Sequence, residues 1–220
     1  MMPMGGGEQL ISEYRLYGAP GWGSVLVEAA LVRVGAPFSF EDVSGFDVSG
    51  AERDRLLRVN PLAQVPTLVL PDGTVMTESA AIVLHLAETF PEAGLAPARG
   101  DPARPVFLRR LVWLVASVYP TFAFGDYPGR WAPGVEDELR ARVLEHRQAL
   151  WRQWEAELGE GPWALGHVFS ALDIYVAAMT RWRPRRDWFA RECPKLAAIA
   201  RRADAEPDLS PVWIRNFDGG

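Results

Sequence analysis

Residues 60–79 read NPLAQVPTLVLPDGTVMTES, so a proline stands directly before an apolar, β-prone run and the stretch closes on a carboxylate beside a hydroxyl. Proline has no N–H to give, and the Val65–Pro66 bond can be cis at a cost of only about 0.5–1 kcal/mol. A cis bond there turns the Val65 amide and carbonyl outward, where they can pair with another extended chain rather than with a sheet. At the far end, Glu78 and Ser79 precede AAIVLHLAETF, in which Ile82, Leu86 and Phe90 recur at helical spacing. A helix N-terminus gathers orphan amides and the positive end of the dipole, which suits a carboxylate ligand. Ser79 can equally serve as the helix cap, and spacing alone leaves both roles open.

A hairpin and a helix must hold these groups. TLVL reads as a buried strand, and PDG followed by TVM as a tight turn into a second strand. Upstream, EYRLY alternates like a strand. SVLVEAALVRVG follows as a helix with Ser24 as cap and Gly35 as stop, then FSFEDV as a strand and AERDRLLRV as a short charged helix. The order β-α-β, helix, β-β-α builds an α/β unit over residues 13–91, a small sheet with helices on both faces whose parallel part comes from the first βαβ. Residues 1–12 are expected to be a flexible glycine-rich tail. Residues 92–104 have the proline and glycine content of a linker. Residues 105–220 carry long periodic segments and predict an all-α helical bundle.

Composition narrows the function. The chain has 220 residues, 49% of them hydrophobic, enough to bury a sizeable core in two small domains. A net charge of −5 argues against a general nucleic-acid or acidic-membrane surface. No run approaches the roughly eighteen consecutive apolar residues of a membrane span, and MMPMGGGEQLIS lacks the regions of a signal peptide, so a cytoplasmic protein is expected. The single cysteine, Cys193, allows no internal disulfide.

Taken together, NPLAQVPTLVL, DGTVMTES and AAIVLHLAETF resemble the signature of the soluble, bacterial-type glutathione transferases, in which a thioredoxin-like domain precedes an all-helical one. Far downstream, GHVFSALDIYVA is similar to that family's capping box, with Ser170 and Asp173 at the S-x-x-D spacing and Phe169 as staple. The resemblance implies that the Val65 backbone pairs with the cysteinyl part of glutathione, that Pro66 is the cis proline, and that Glu78 and Ser79 hold the γ-glutamyl end. It implies Gln64 near the glycyl carboxylate. It further implies glutathione as co-substrate with no metal, a homodimer, and conjugation of the thiolate to a small apolar or aromatic electrophile. Peroxide reduction, isomerisation, or a catalytically weak carrier on the same fold are the alternatives.

A free thiol ionises near pH 8.5, so lowering its pKa by about two units requires roughly 2.7 kcal/mol of stabilisation for the anion. The family supplies this from a tyrosine at the end of the first strand, or a serine or cysteine in the loop before the first helix. In LYGAPGWGSV, Tyr17 matches the tyrosine, but the cysteine position falls on Gly23 and the serine position near Gly21. Ser24 is the nearest hydroxyl and the first candidate, Tyr17 the second, and neither is the third possibility. Trp22, Trp113, Tyr119 and Phe122, with Tyr127 and Trp131, would line the electrophile pocket.

Other chemistries fit less well. Strand, GAPGWGS, helix and Glu41 imitate a dinucleotide fold, but the spacing is G-x-x-G-x-G and the Val-Pro hairpin has no place there. No C-x-x-C is present for redox exchange, and His85, His146 and His167 are scattered. The arginines of TRWRPRRDWFARE read as a solvated face rather than a nucleic-acid platform.

Overall fold

A computed structural model describes residues 13–218, and the tail expected over residues 1–12 lies outside them. Strand β1 (Tyr14–Gly18), helix α1 (Ser24–Arg33), β2 (Phe38–Asp42), α2 (Ala51–Leu57), β3 (Thr67–Val69), β4 (Val75–Met76) and α3 (Ser79–Thr89) follow the order read from the sequence. The sheet runs β2-β1-β3-β4. β1 is parallel to β2 and antiparallel to β3, with Tyr17 opposite Thr67, and β4 closes the hairpin. This is a thioredoxin-like sheet, and its antiparallel β1–β3 pairing removes the dinucleotide alternative. Glu41, the acid of that alternative, is ion-paired with Arg55.

The alternation of β1 sends Tyr14 and Leu16 to the large core under α1 and α3, and Tyr17 to a smaller cluster with Val43, Phe46, Leu56 and Val69. All of α1 from Ser24 to Leu31 is buried, because α1 lies between the sheet and the helical half of the chain. Gly35 stops α1 in the left-handed region at φ 66°, as expected. Its start differs from expectation. Gly23 is the N-cap and Ser24 the first helical residue, with no side-chain cap.

The helical half starts with α4 (Arg104–Trp113), which passes through a π turn (Leu114–Val118) into α5 (Tyr119–Asp126). This rod spans 23 residues with a mean hydropathy of 1.3 in its most apolar window, long and apolar enough to cross a bilayer by length and composition. Here Phe107, Leu111, Leu114, Val118 and Phe122 are buried in the core instead. Then come α6 (Pro128–Trp131), α7 (Glu136–Glu157), α8 (Ala171–Met179), α9 (Arg186–Glu192), α10 (Pro194–Asp204) and α11 (Ser210–Trp213), ending in a second π turn (Ile214–Asp218). The helices α5, α6, α9 and α11, unlike α4, α7, α8 and α10, were not foreseen as separate elements. In the arginine tract, Trp188 and Phe189 are buried, and Arg181 and Arg186 pair with Asp204, so the face read as solvated is partly core.

Every residue of α8 is buried. The capping box at its start forms, with the Asp173 carboxylate accepting from the Ser170 amide and the Ala164 amide, each at 2.8 Å. The large core runs without a break from Leu16 and Leu68 in the sheet through Leu26 and Leu86 to Ile174, Tyr175 and Trp213. Each such large side chain contributes about 1.5–3 kcal/mol by leaving water.

Candidate functional site

The loop between α2 and β3 is organised by Asn60, a buried amide absent from the sequence reading. Its Nδ2 donates to the Gln64 carbonyl at 3.1 Å and to Thr67 Oγ1 at 3.0 Å, while its Oδ1 accepts from the Leu62 amide. The Thr67 hydroxyl donates to the same Gln64 carbonyl at 2.8 Å. Ala63 is held at φ 47° by these bonds, a strained conformation for a residue with a Cβ. The loop thereby delivers Gln64 exposed, Val65 half-buried, and Pro66 buried after a cis Val65–Pro66 bond. Among the described residues, no protein group bonds to the Val65 amide or carbonyl.

Across from Val65, Glu78 is the N-cap of α3 at φ 66°, a second strained residue, and its side chain is exposed. Ser79 is not the cap. It is the first residue of α3, and its Oγ accepts a hydrogen bond of 2.8 Å from the Tyr175 hydroxyl of α8. A serine that accepts from tyrosine still has its own proton to give. Burial raises the Tyr175 pKa well above that of an ordinary phenol, so it remains a donor at any physiological pH.

The opposite wall is the loop of residues 19–23, and here the expected hydroxyls are engaged elsewhere. Ser24 is fully buried, accepts from the Ala19 amide at 3.1 Å and donates to the Ala19 carbonyl at 3.0 Å. Its proton is committed to folding the loop. Tyr17 sits on the α2 face of the sheet with its ring buried, because the alternation of β1 places it there. The loop itself is tied down from the far end of the chain. The Gly21 carbonyl accepts from Trp182 Nε1 at 2.8 Å, and the Gly21 amide donates to Asn216 Oδ1 at 3.1 Å. Asn216 in turn donates to the buried Glu28 carboxylate of α1, which also pairs with Arg215.

Aromatic side chains flank this loop. Tyr119, Phe122 and Trp182 pack edge to face with centroids 5.1–6.1 Å apart, and Trp22, partly exposed, packs on Phe46 at 5.0 Å. Trp113 does not join them. It packs against Trp151 and Trp154 in the helical core, since its face of α4 looks toward α7. The wall is braced by Arg147, a buried guanidinium that donates to the Thr121 hydroxyl and to the Arg183 carbonyl and lies 3.9 Å from the Phe122 centroid. Burial lowers the Arg147 pKa to about 10, still far enough up to keep it charged. Tyr127 donates to Asp47 at 2.8 Å, tying the helical half to the loop after β2.

Asn60, Tyr175, Trp182 and Asn216 escaped the sequence reading. The only sequence signal among them is Tyr175, two residues past Asp173 on the helix that the capping box starts. Among the described residues, no three His, Cys, Asp or Glu side chains converge as metal ligands.

Comparison with known proteins places this architecture. The family model for the glutathione S-transferase N-terminal domain matches residues 27–89. A glutathione transferase homologue from Sulfitobacter, solved with bound glutathione, superposes with a TM-score of 0.78 at 26% identity, covering 91% of this chain and 97% of that one. A sphingomonad glutathione S-transferase complexed with glutathione gives 0.75 at 30% identity over 90% and 96%. The uncharacterized GST-like protein YncG of Escherichia coli (strain K12) is 44% identical over 202 residues, 92% of this chain and 98% of its own length. Likeness at that level and over that span means that the chain belongs to the bacterial soluble glutathione S-transferase family.

Proposed function

We propose that the protein is a glutathione transferase that holds the tripeptide between Val65 and the start of α3 and passes its thiolate to a small, apolar, aromatic electrophile. One observation carries this: the Val65 backbone is half-buried and, among the described residues, unpaired, and the antiparallel β3–β4 hairpin returns the chain beside it to where Glu78 and Ser79 start α3. The extended cysteinyl backbone pairs with Val65 as an added strand would. The γ-glutamyl carboxylate takes the first amides of α3 and the Ser79 proton, and Glu78 takes the ammonium. Gln64, exposed beside Val65, reaches the glycyl carboxylate. The Sulfitobacter and sphingomonad proteins of similar architecture both carry bound glutathione, which supports the same ligand here.

In the reaction the thiol proton leaves to solvent and the sulfur lone pair forms a bond to an electrophilic carbon. A leaving group such as chloride departs with the electron pair of its bond. Trp22 and Trp182 offer flat apolar surface to the acceptor, with the buried Phe122 packed behind Trp182. The engagement of Ser24 with Ala19 favours a second reading, a glutathione-binding carrier with little catalysis. Calorimetry with glutathione, followed by turnover of a chlorodinitrobenzene, separates them. Binding with turnover supports the transferase, binding without turnover the carrier, and absence of binding removes both.

A further inference from the structure

We propose that Tyr119 of α5 is the catalytic residue that donates a hydrogen bond to the glutathione sulfur, standing in for a side chain that the loop before α1 does not provide. The inference rests on the cleft being a glutathione site.

Gly23 is the key. Its φ of −59° and ψ of −17° lie in the right-handed region open to any residue, so the backbone does not call for glycine. Space does. A Cβ built on Gly23 would lie 3.1 Å from Tyr119 Cζ and collide with the Tyr119 hydroxyl. Position 23 is where the resemblance puts a catalytic cysteine, and the phenol oxygen occupies the volume that such a side chain would fill. Glycine and tyrosine are thus one unit, with the hydroxyl carried by the second half of the chain instead of the first.

The phenol is suited to the task. It is half-buried, and among the described residues its hydroxyl bonds to no protein group, leaving its proton for a ligand. Its pKa is raised far above that of a free phenol by burial, then by the charges of Asp126 and Glu78, so it stays a neutral donor. Its ring is fixed edge-on between Phe122 and Trp182, and Trp182 is itself bonded to Gly21, so donor and loop are positioned together. The two competing hydroxyls are accounted for, Ser24 by Ala19 and Tyr17 by the opposite face of the sheet. The tyrosine does not ionise in this role. The thiol releases its proton to solvent and the O–H stabilises the thiolate left behind.

The test follows thiolate absorbance of bound glutathione against pH in wild type and Tyr119→Phe, with melting temperature and calorimetric affinity measured alongside. Phenylalanine keeps the packing, so the fold should survive. The bound-thiol pKa should rise by about one unit and turnover at neutral pH fall roughly tenfold, while affinity stays within about twofold. In a second variant, Gly23→Ser with Tyr119→Ala, a hydroxyl returned to the loop should recover part of the pKa depression. A wild type that binds and acidifies glutathione, with Tyr119→Phe indistinguishable from it, overturns the inference alone. Bound glutathione that titrates like the free thiol in wild type also overturns it. A wild type that does not bind glutathione removes the reading beneath it as well.

Discussion

The two walls of the cleft are built by different rules. The Val65 wall is local: Asn60, Gln64, Thr67, Glu78 and Ser79 lie within twenty consecutive residues, and all but one of the side-chain bonds they make close inside that window. The loop wall is assembled at long range. Gly21 is held by partners 161 and 195 residues away, and the space beside Gly23 is filled from α5. A local wall can be read from spacing, whereas a distant one appears only once the chain is folded. In the proposed reading the difference also divides the chemistry, with the ligand's backbone on the local wall and its sulfur at the assembled one.

The sharpest break would come on the local wall. Glu78→Ala and Ser79→Ala should each lower glutathione affinity by at least tenfold by calorimetry and remove most of the ligand-induced rise in melting temperature, with apo Glu78→Ala within about 2 °C of wild type and apo Ser79→Ala melting a few degrees lower because it leaves the buried Tyr175 hydroxyl without its acceptor. Affinity kept in both variants would mean that the ligand lies elsewhere. Tyr175→Phe tests the single long-range side-chain bond on that wall. Losing the donor to Ser79 should reduce affinity about three- to tenfold and stability by about 0.5–1.5 kcal/mol. The loop wall should respond in the opposite sense. Trp182→Phe frees the Gly21 carbonyl while keeping an aromatic against Tyr119, so turnover should fall about threefold with affinity unchanged. If Trp182→Phe weakens binding as much as Tyr175→Phe does, the division between the walls fails.

How much of this was legible follows from the same division. The β-α-β and hairpin order was readable because each element carries its own period and punctuation, as TLVL between Pro66 and Pro71 does. The cis bond before Pro66 and the capping box at Ser170 and Asp173 were readable because both are nearest-neighbour chemistry. Ser24 was misplaced because a hydroxyl before a helix looks the same whether it caps the helix or turns back to bond Ala19. Trp113 was misplaced because a tryptophan on a long helix does not reveal which neighbour its face will meet, and α7 supplied two more tryptophans. Trp182 and Asn216 carried no local signal, since the Gly21 loop they tie down lies 161 and 195 residues away in the chain.

Beneath the two walls lies α8, and its first turn makes the last prediction. Asp173 is fully buried, and burial pushes its carboxyl up to about 7, against the pull of the Ala164 and Ser170 amides. In the unfolded chain the same group ionises near pH 4. Between about pH 4 and 7 the folded state therefore holds a proton that the unfolded state has lost, so stability falls as pH rises through this window and levels off above it. Asp173→Asn keeps the shape and an acceptor oxygen but cannot titrate. Although less stable overall where its amide misfits the two N–H donors, it should lack this slope. The urea midpoint of wild type minus that of Asp173→Asn, measured from pH 4 to 8, should decrease with pH and then flatten near 7. A difference that instead grows with pH would show the two amides outweighing burial, with the carboxylate held charged at the base of the helix that carries Tyr175 to Ser79.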